Sequence, residues 1–290
     1  MSAEAFLGRW DLTVGVGPSS HPAWLEVNAG PDGTLAGRYV GIWGSARPVA
    51  NVAVDGDEIR FGLPVQYEDY PQDLAFTGRM VDGALVGAAH VFAEGVRWVG
   101  LPAPTLPLGN VAANEPPVSL VGEGLAGWHP RALDRENQWA NVDGALVNAA
   151  VGTDLVSDAR FSDFRLVAEY SYPEGSNSGI YLRGRYELQI LDDYGQPPAV
   201  GASGAIYGFL VPRINAVHPP SQRNVAEITL IGRTITVVLN GETVLDRQEI
   251  PGITGGALDS DEGTPGPILL QGDHGPVTFH RLEITRLSPA

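Results

Sequence analysis

The sequence predicts an all-β protein: a small antiparallel β-barrel or sandwich followed by a β-sandwich of jelly-roll type. Three observations predict it. Glycine (37 residues) and proline (23) are plentiful beside frequent Val, Ile and Thr, a mix that suits short strands joined by many turns. Runs of β-formers recur along the whole chain at short spacing, each ended by a turn signal. Helical periodicity is nearly absent, and only "VGTDLVSDARF" carries a signal, for one helical turn.

In the first hundred residues the runs include "RWDLTVGV", "WLEVNA", "LAGRYVGIW", "EIRFGLPV", "LAFTGRMV" and "VRWVGL", separated by "PDG", "DGDE" and "VDG". About eight strands at this spacing predict a meander forming a small barrel or sandwich over residues 1–105. The opening "GRW" is similar to the Gly-x-Trp start of lipocalin-type barrels, or simply seats a tryptophan on the barrel floor. Next, "LPAPTLPLGNVAANEPPVSL" concentrates Pro102, Pro104, Pro107, Pro116 and Pro117, which predicts a linker or extended strap over residues 106–118. Over residues 119–290 the strands alternate more cleanly, in "FRLVAEYSY", "YELQILD", "AEITLIG" and "VTFHRLEITRL". "LNGETVL" predicts a hairpin turning at Asn240-Gly241. Strands at this density over about 170 residues need two stacked sheets.

Composition removes several functions. The formal charge of −16 comes from 34 acids against 18 bases, every base an arginine, so a phosphate backbone or an anionic lipid surface is repelled and no nucleic-acid partner is expected. With no cysteine, zinc–thiolate sites and cysteine nucleophiles are excluded. No apolar run reaches the roughly 20 residues of a membrane span. "MSAEAFLGRW" lacks the basic and apolar segments of a signal peptide, which leaves a cytoplasmic protein or one exported with its signal already removed. No phosphate loop, dinucleotide fingerprint or Gly-x-Ser-x-Gly elbow is present.

The stretch "NSGIYLRGRYELQILDDYG" stands apart. Ile180, Leu182, Tyr186, Leu188 and Ile190 share one parity, while Tyr181, Arg183, Arg185, Glu187 and Gln189 share the other. The glycine in "RGR" makes it a hairpin, with one face for the core and one polar face. Glu187-x-Gln189-x-x-Asp192 brings Glu187 and Gln189 to one face, and Asp192 too if a bulge shifts the parity. This spacing is similar to the Glu-x-Asp-x-x-Glu strand of laminarinase-type jelly rolls. Gln189 stands where that motif has its central acid, which argues against two-carboxylate retaining hydrolysis.

Several pieces of the second half together resemble one family: "QWANVDGALVN", "DFRLVAEYSYPEGSNSGIYLRGRYELQILDDYG", "GAIYG" and "GPILLQGDHGPVTFHRLEI". They resemble, in order and over about residues 120–287, the 3-keto-disaccharide hydrolase domain family. The resemblance implies a concanavalin-like jelly roll with a carbohydrate-binding face. It also implies action on glycosides whose sugar is oxidised to a ketone at C3, by hydrolysis or by lyase chemistry. Such a ketone acidifies the hydrogen on C2, so the site needs a base, an electrophile for the enolate oxygen and an acid for the leaving group. A divalent metal ion held by oxygen and imidazole ligands could supply the electrophile; no nucleotide cofactor is called for.

Within this frame Glu187 is the base or a metal ligand, and His274, in "LQGDHGP", shares base, acid or metal-ligand roles with it. Arg183 stabilises an enolate or merely neutralises Glu187, and Asp192 assists. Tyr181 offers a stacking platform or core packing. Gln189, Gln271 and Asp273 are substrate-binding candidates. Glu169 joins them if its strand neighbours that of Glu187; otherwise it is an outward-facing acid. Arg213 and His218 rim the cleft, and Asp259, Asp261 and Glu262 form a mobile acidic lid rather than a calcium loop. His21, His90, His129 and His280 have no role. The alternatives to an enzyme on 3-keto glycosides are a lectin-like binding module and a retaining glycosidase.

Overall fold

Along one early strand Ile59, Phe61 and Leu63 are buried in alternation, and on the next Leu74 and Phe76 repeat the pattern, the period of a half-buried sheet. The computed structural model describes residues 3–65, 73–91 and 94–290. It divides the chain into a first unit, Met1–Thr105 with Gly252–Gly263, and a second, Leu106–Pro251 with Thr264–Ala290. In the first unit, β1 (Gly8–Val14), β2 (His21–Ala29), β3 (Leu35–Val40), β4 (Arg47–Asp55), β5 (Glu58–Leu63), β6 (Leu74–Val81), β7 (Ala84–Val91) and β8 (Glu94–Pro102) pair in chain order. Antiparallel pairing of β1 with β8, from Trp10↔Pro102 to Val14↔Trp98, closes the barrel. Closure removes the unpaired edges of an open sheet.

The barrel is filled by side chains. Phe61 stacks on Phe76 with ring centroids 4.7 Å apart, and Tyr39 and Trp98 pack around them. Trp10, of the "GRW" opening, is buried and donates its indole N–H to the Phe6 carbonyl at 3.0 Å. Trp24 lies on the outward parity of β2 yet is wholly buried, because Gly252–Gly263 lies over it. A Cβ at Gly252 would come within 2.2 Å of the Trp24 indole nitrogen, so only glycine fits that crossing. The Gly256 N–H bonds to the Ile42 carbonyl at 2.9 Å, and Glu262 is buried. The expected mobile acidic lid is therefore corrected: the segment is packed into the first unit.

The second unit begins with β9 (Val111–Ala113), β10 (Val118–Ser119), β11 (Trp128–Pro130), β12 (Trp139–Val142), β13 (Ala145–Asn148) and β14 (Leu155–Phe161). It continues with β15 (Asp163–Ser171), β16 (Asn177–Leu182), β17 (Tyr186–Leu191), β18 (Asn224–Ile231), β19 (Thr234–Leu239), β20 (Glu242–Glu249), β21 (Gly266–Leu270) and β22 (Val277–Pro289). One sheet runs β12-β13-β22-β15-β18-β19-β20, with β9 and β10 also on β22; the other runs β11-β14-β21-β16-β17. The fold is all-β and of the jelly-roll kind, and among the described residues no helix is long and apolar enough to cross a membrane.

Local chemistry accounts for the details. Asn240 and Gly241 both take positive φ (52° and 84°), which suits the two-residue turn between β19 and β20. Two further expectations differ from the structure. "VGTDLVSDARF" is β14, not a helical turn, since pairing with β21 satisfies its backbone. The proline-rich segment read as a linker carries β9 and β10, both hydrogen-bonded to β22; its prolines flank these short strands, where a missing N–H costs nothing.

Candidate functional site

The site is built on one face of the five-stranded sheet. In β16 and β17, Tyr181 pairs with Glu187 and Gly179 with Gln189; directly opposed residues share a face. Tyr181 also pairs with Leu269 of β21, and two residues on the Gln271 N–H bonds to the Gly179 carbonyl at 2.9 Å. Gln189, Gly179 and Gln271 thus form one transverse row. Gly179 is the low point of that row. A Cβ there would lie 2.6 Å from Glu187 Oε1, so the Glu187 carboxyl leans across it, between the two glutamines. Tyr181, Glu187, Gln189 and Gln271 are all buried.

Burial dominates the electrostatics. Glu187 accepts a hydrogen bond from the Tyr181 hydroxyl. Desolvation pushes its pKa up to about 8, against the lowering effects of Tyr181 and His274, with Asp273 and Asp154 adding to the rise. Burial likewise holds Tyr181 protonated, well above the usual phenol value. His274 is half-exposed and bonded through Nδ1 to Asp273. That hydrogen bond, outweighing desolvation, raises the His274 pKa, with Asp273, Glu187 and Asp154 contributing. Burial acts to raise Asp273, but hydrogen bonding by His274 and the charges of His274, Arg135 and Arg131 hold it below the usual carboxylate range.

The turn that carries Asp273 and His274 is fastened from behind. Asp154 Oδ1 accepts the Gly272 N–H at 3.0 Å, while its Oδ2 is bound by Arg131 at 3.1 Å. The Asn148 amide donates to the carbonyls of Gly272 and Gly275 at 3.1 and 2.9 Å. Arg135 reaches Asp273 at 3.5 Å. Burial, then repulsion from Asp273, raises the pKa of Asp154. Sequence reading missed Asp154 and Arg131. The signal was an acid at the mouth of an apolar strand, in "TDLV", obscured by reading that stretch as helix.

Other candidates lie elsewhere. Arg183 sits in the β16–β17 turn with φ 54°. Its guanidinium bonds to the Gly232 carbonyl at 2.6 Å and to the Tyr186 hydroxyl at 3.2 Å; Tyr186 has the parity opposite to Glu187. Arg185 turns to the Thr264 carbonyl at 2.9 Å. Leu182 pairs with Tyr186, so the turn consumes both arginines and neither belongs to the polar face. Asp192 caps a turn by accepting the Gly175 N–H at 2.7 Å. Glu169 is on β15, in the other sheet, paired with Arg223; its strand does not neighbour that of Glu187. These placements correct the expectations for Arg183, Asp192 and Glu169. His218 is engaged with the Arg223 carbonyl at 2.8 Å.

A divalent ion at Glu187 and His274 finds a poor donor set. Among the described residues no three His, Asp or Glu side chains converge as a metal-binding group. Asp273 and His274 are bonded to each other and Glu187 to Tyr181. The residues do not fit the ion.

A jelly-roll sandwich presenting a buried row of carboxyl and amide groups belongs with the carbohydrate-acting domains. Residues 116–285 match the model of a family described as a 3-keto-alpha-glucoside-1,2-lyase-like domain, and the chain belongs to that family. Among solved structures, a Parabacteroides distasonis ATCC 8503 protein provisionally named a glycosyl hydrolase is 26% identical, with TM-score 0.50, over 63% of this chain and 92% of its own. A second from the same organism, named in the same way, is 22% identical with TM-score 0.50 over 62% of this chain and 100% of its own, and shows the fold alone. No curated protein matches the chain.

Proposed function

We propose that the second unit cleaves 3-keto glycosides by removing the proton on C2, with Glu187 as the base. One observation carries this reading: a single carboxyl, buried, raised to about 8 and held by a tyrosine hydroxyl, beside a histidine whose pKa is also raised. A base poised near the working pH suits abstraction of a weakly acidic C–H. Paired carboxylates of a retaining glycosidase would need a second acid on this face, and Gln189, two residues further along β17, is an amide.

In the proposed reaction the Glu187 carboxylate takes the C2 hydrogen and the C–H electron pair forms the C2–C3 enolate. The enolate collapses to a C1–C2 double bond and expels the C1 oxygen of the aglycone. Protonated His274, steadied by Asp273, delivers the proton that oxygen needs. Release at this stage is lyase chemistry; addition of water across the new double bond completes net hydrolysis. Tyr181 supplies an O–H donor beside the base, and Asp154 and Asn148 act as positioning residues for the His274 turn.

The test compares a 3-keto glucoside with its unoxidised parent. Turnover is expected only for the ketone, with solvent deuterium at C2 of any hydrated product, loss of the C2 hydrogen from any eliminated one, and at least a hundredfold loss in Glu187→Gln. Cleavage of the unoxidised glycoside at an equal rate would overturn the reading.

A further inference from the structure

Two side chains in the row across Gly179 stand out for what they do not bond. Gln189 and Gln271 are 4% and 6% exposed, and the amide oxygen of each is buried with no hydrogen-bond partner. Neither oxygen is a by-product of sheet formation. The backbone groups around them are satisfied: the Gln189 N–H bonds to the Ala205 carbonyl, and the Gln271 carbonyl accepts from the Ser178 hydroxyl at 2.9 Å. A buried acceptor left unpaired costs about 1–3 kcal/mol, so each of these oxygens calls for a partner from outside the fold, an ordered water or a ligand hydroxyl that displaces it.

Their placement says what kind of ligand. The two residues flank Gly179 on adjacent strands, so their Cα atoms stand roughly 10 Å apart, two strand spacings. The missing side chain at Gly179 leaves room that the Glu187 carboxyl enters from the next row. Two amides leaning inward from such positions span the width of one pyranose ring, with the carboxyl beneath it. An amide oxygen accepts from a hydroxyl and is repelled by a ketone oxygen.

We infer that Gln189 and Gln271 are the specificity-determining pair of the site, each binding one free hydroxyl of the sugar ring that lies over Gly179. The ketone oxygen is thereby turned away from the row. The reading of the sugar as the substrate ring rests on the proposed function; the prediction of hydroxyl binding at these two amides does not.

The experiment measures binding, by calorimetry, of methyl α-glucoside and its 2-, 4- and 6-deoxy analogues to Glu187→Gln, alone and combined with Gln189→Leu or Gln271→Leu. Each leucine is expected to weaken methyl glucoside binding about tenfold or more, and each to be insensitive to loss of one particular hydroxyl. The leucines also remove unpaired acceptors, so thermal stability is expected to hold or rise, which separates lost recognition from lost folding. Unchanged affinity in both leucine variants, absence of any hydroxyl-specific coupling, or no binding to the Glu187→Gln parent at all would each overturn the inference. If the coupling is found but no 3-keto glucoside is turned over by the wild type, the amide pair stands and the proposed reaction falls. If a 3-keto glucoside is turned over and Gln189→Leu and Gln271→Leu, each made singly with Glu187 intact, leave kcat and KM unchanged, the reverse holds.

Discussion

Replacing Glu187 by Gln is expected to make the protein more stable while abolishing its activity, and the structure sets the size of the effect. The side chain is isosteric, and a neutral amide still accepts the Tyr181 hydroxyl. What changes is the cost of keeping the carboxyl protonated. Its pKa is 4.5 when exposed and about 8 when folded. Below pH 4.5 both states carry the proton and wild type and variant are expected to match. As pH rises from 4.5 to about 8 the unfolded chain ionises first, so the wild type loses stability at about 1.4 kcal/mol per pH unit. At pH 7 this amounts to about 3 kcal/mol that the variant does not lose, worth roughly 6–12 °C in Tm for a unit of this size. Above about 8 the difference levels off. Scanning calorimetry of the full chain in steps between about pH 4 and 9, at fixed ionic strength, measures it. A variant no more stable than wild type at pH 7, or a difference that does not grow with pH, would refute the claim that Glu187 is a desolvated carboxyl. The inference that its burial serves chemistry would go with it.

Four further outcomes follow from the same geometry. The pH–rate profile on a 3-keto glucoside is expected to be bell-shaped, rising as Glu187 ionises towards about 8 and falling as His274, itself raised, loses its proton; the two limbs belong to the coupled pair, and a flat profile argues against both roles. In Gly179→Ala the new Cβ meets the Glu187 carboxyl at 2.6 Å, so kcat is expected to fall about 10- to 100-fold, with no more than about 1–3 kcal/mol lost in stability. Asp154→Ala removes the acceptor of the Gly272 N–H and one partner of Arg131; it is expected to lower kcat more than it raises KM and to increase hydrogen exchange across residues 272–275, whereas a role in general stability alone would leave the kinetic ratio untouched. Glu169→Ala, which breaks a half-exposed ion pair with Arg223 in the other sheet, is expected to cost under about 1 kcal/mol and leave turnover unchanged.

Much of this protein is legible in one dimension because β-structure writes itself with period two. Alternation over Phe164–Tyr170 and over Ile180–Ile190, with turn residues such as Asn240-Gly241, is enough to announce strands, hairpins and a two-sheet sandwich. The same alternation separated Glu187 and Gln189 from the core face, and "GDHG" pointed to His274. Arg183 and Arg185 read falsely, because a strand's parity does not tell where the turn begins; the three residues between Leu182 and Tyr186 belong to neither face. Glu169 read falsely for a different reason, since neighbourhood between strands far apart in sequence is a matter of topology.

The sequence by itself determined the all-β class and the family of the second half, since these rest on local periodicity and on contiguous motifs. Only the tertiary structure decided which side chains meet. It closed β1 on β8, folded Gly252–Gly263 into the first unit over Trp24, and set Asp154 behind the His274 turn. It also set two amides with unpaired oxygens on either side of a bare glycine. Those facts depend on sheet order and on burial, and burial is what raises the Glu187 carboxyl to about 8: the desolvation comes from the atoms packed around it.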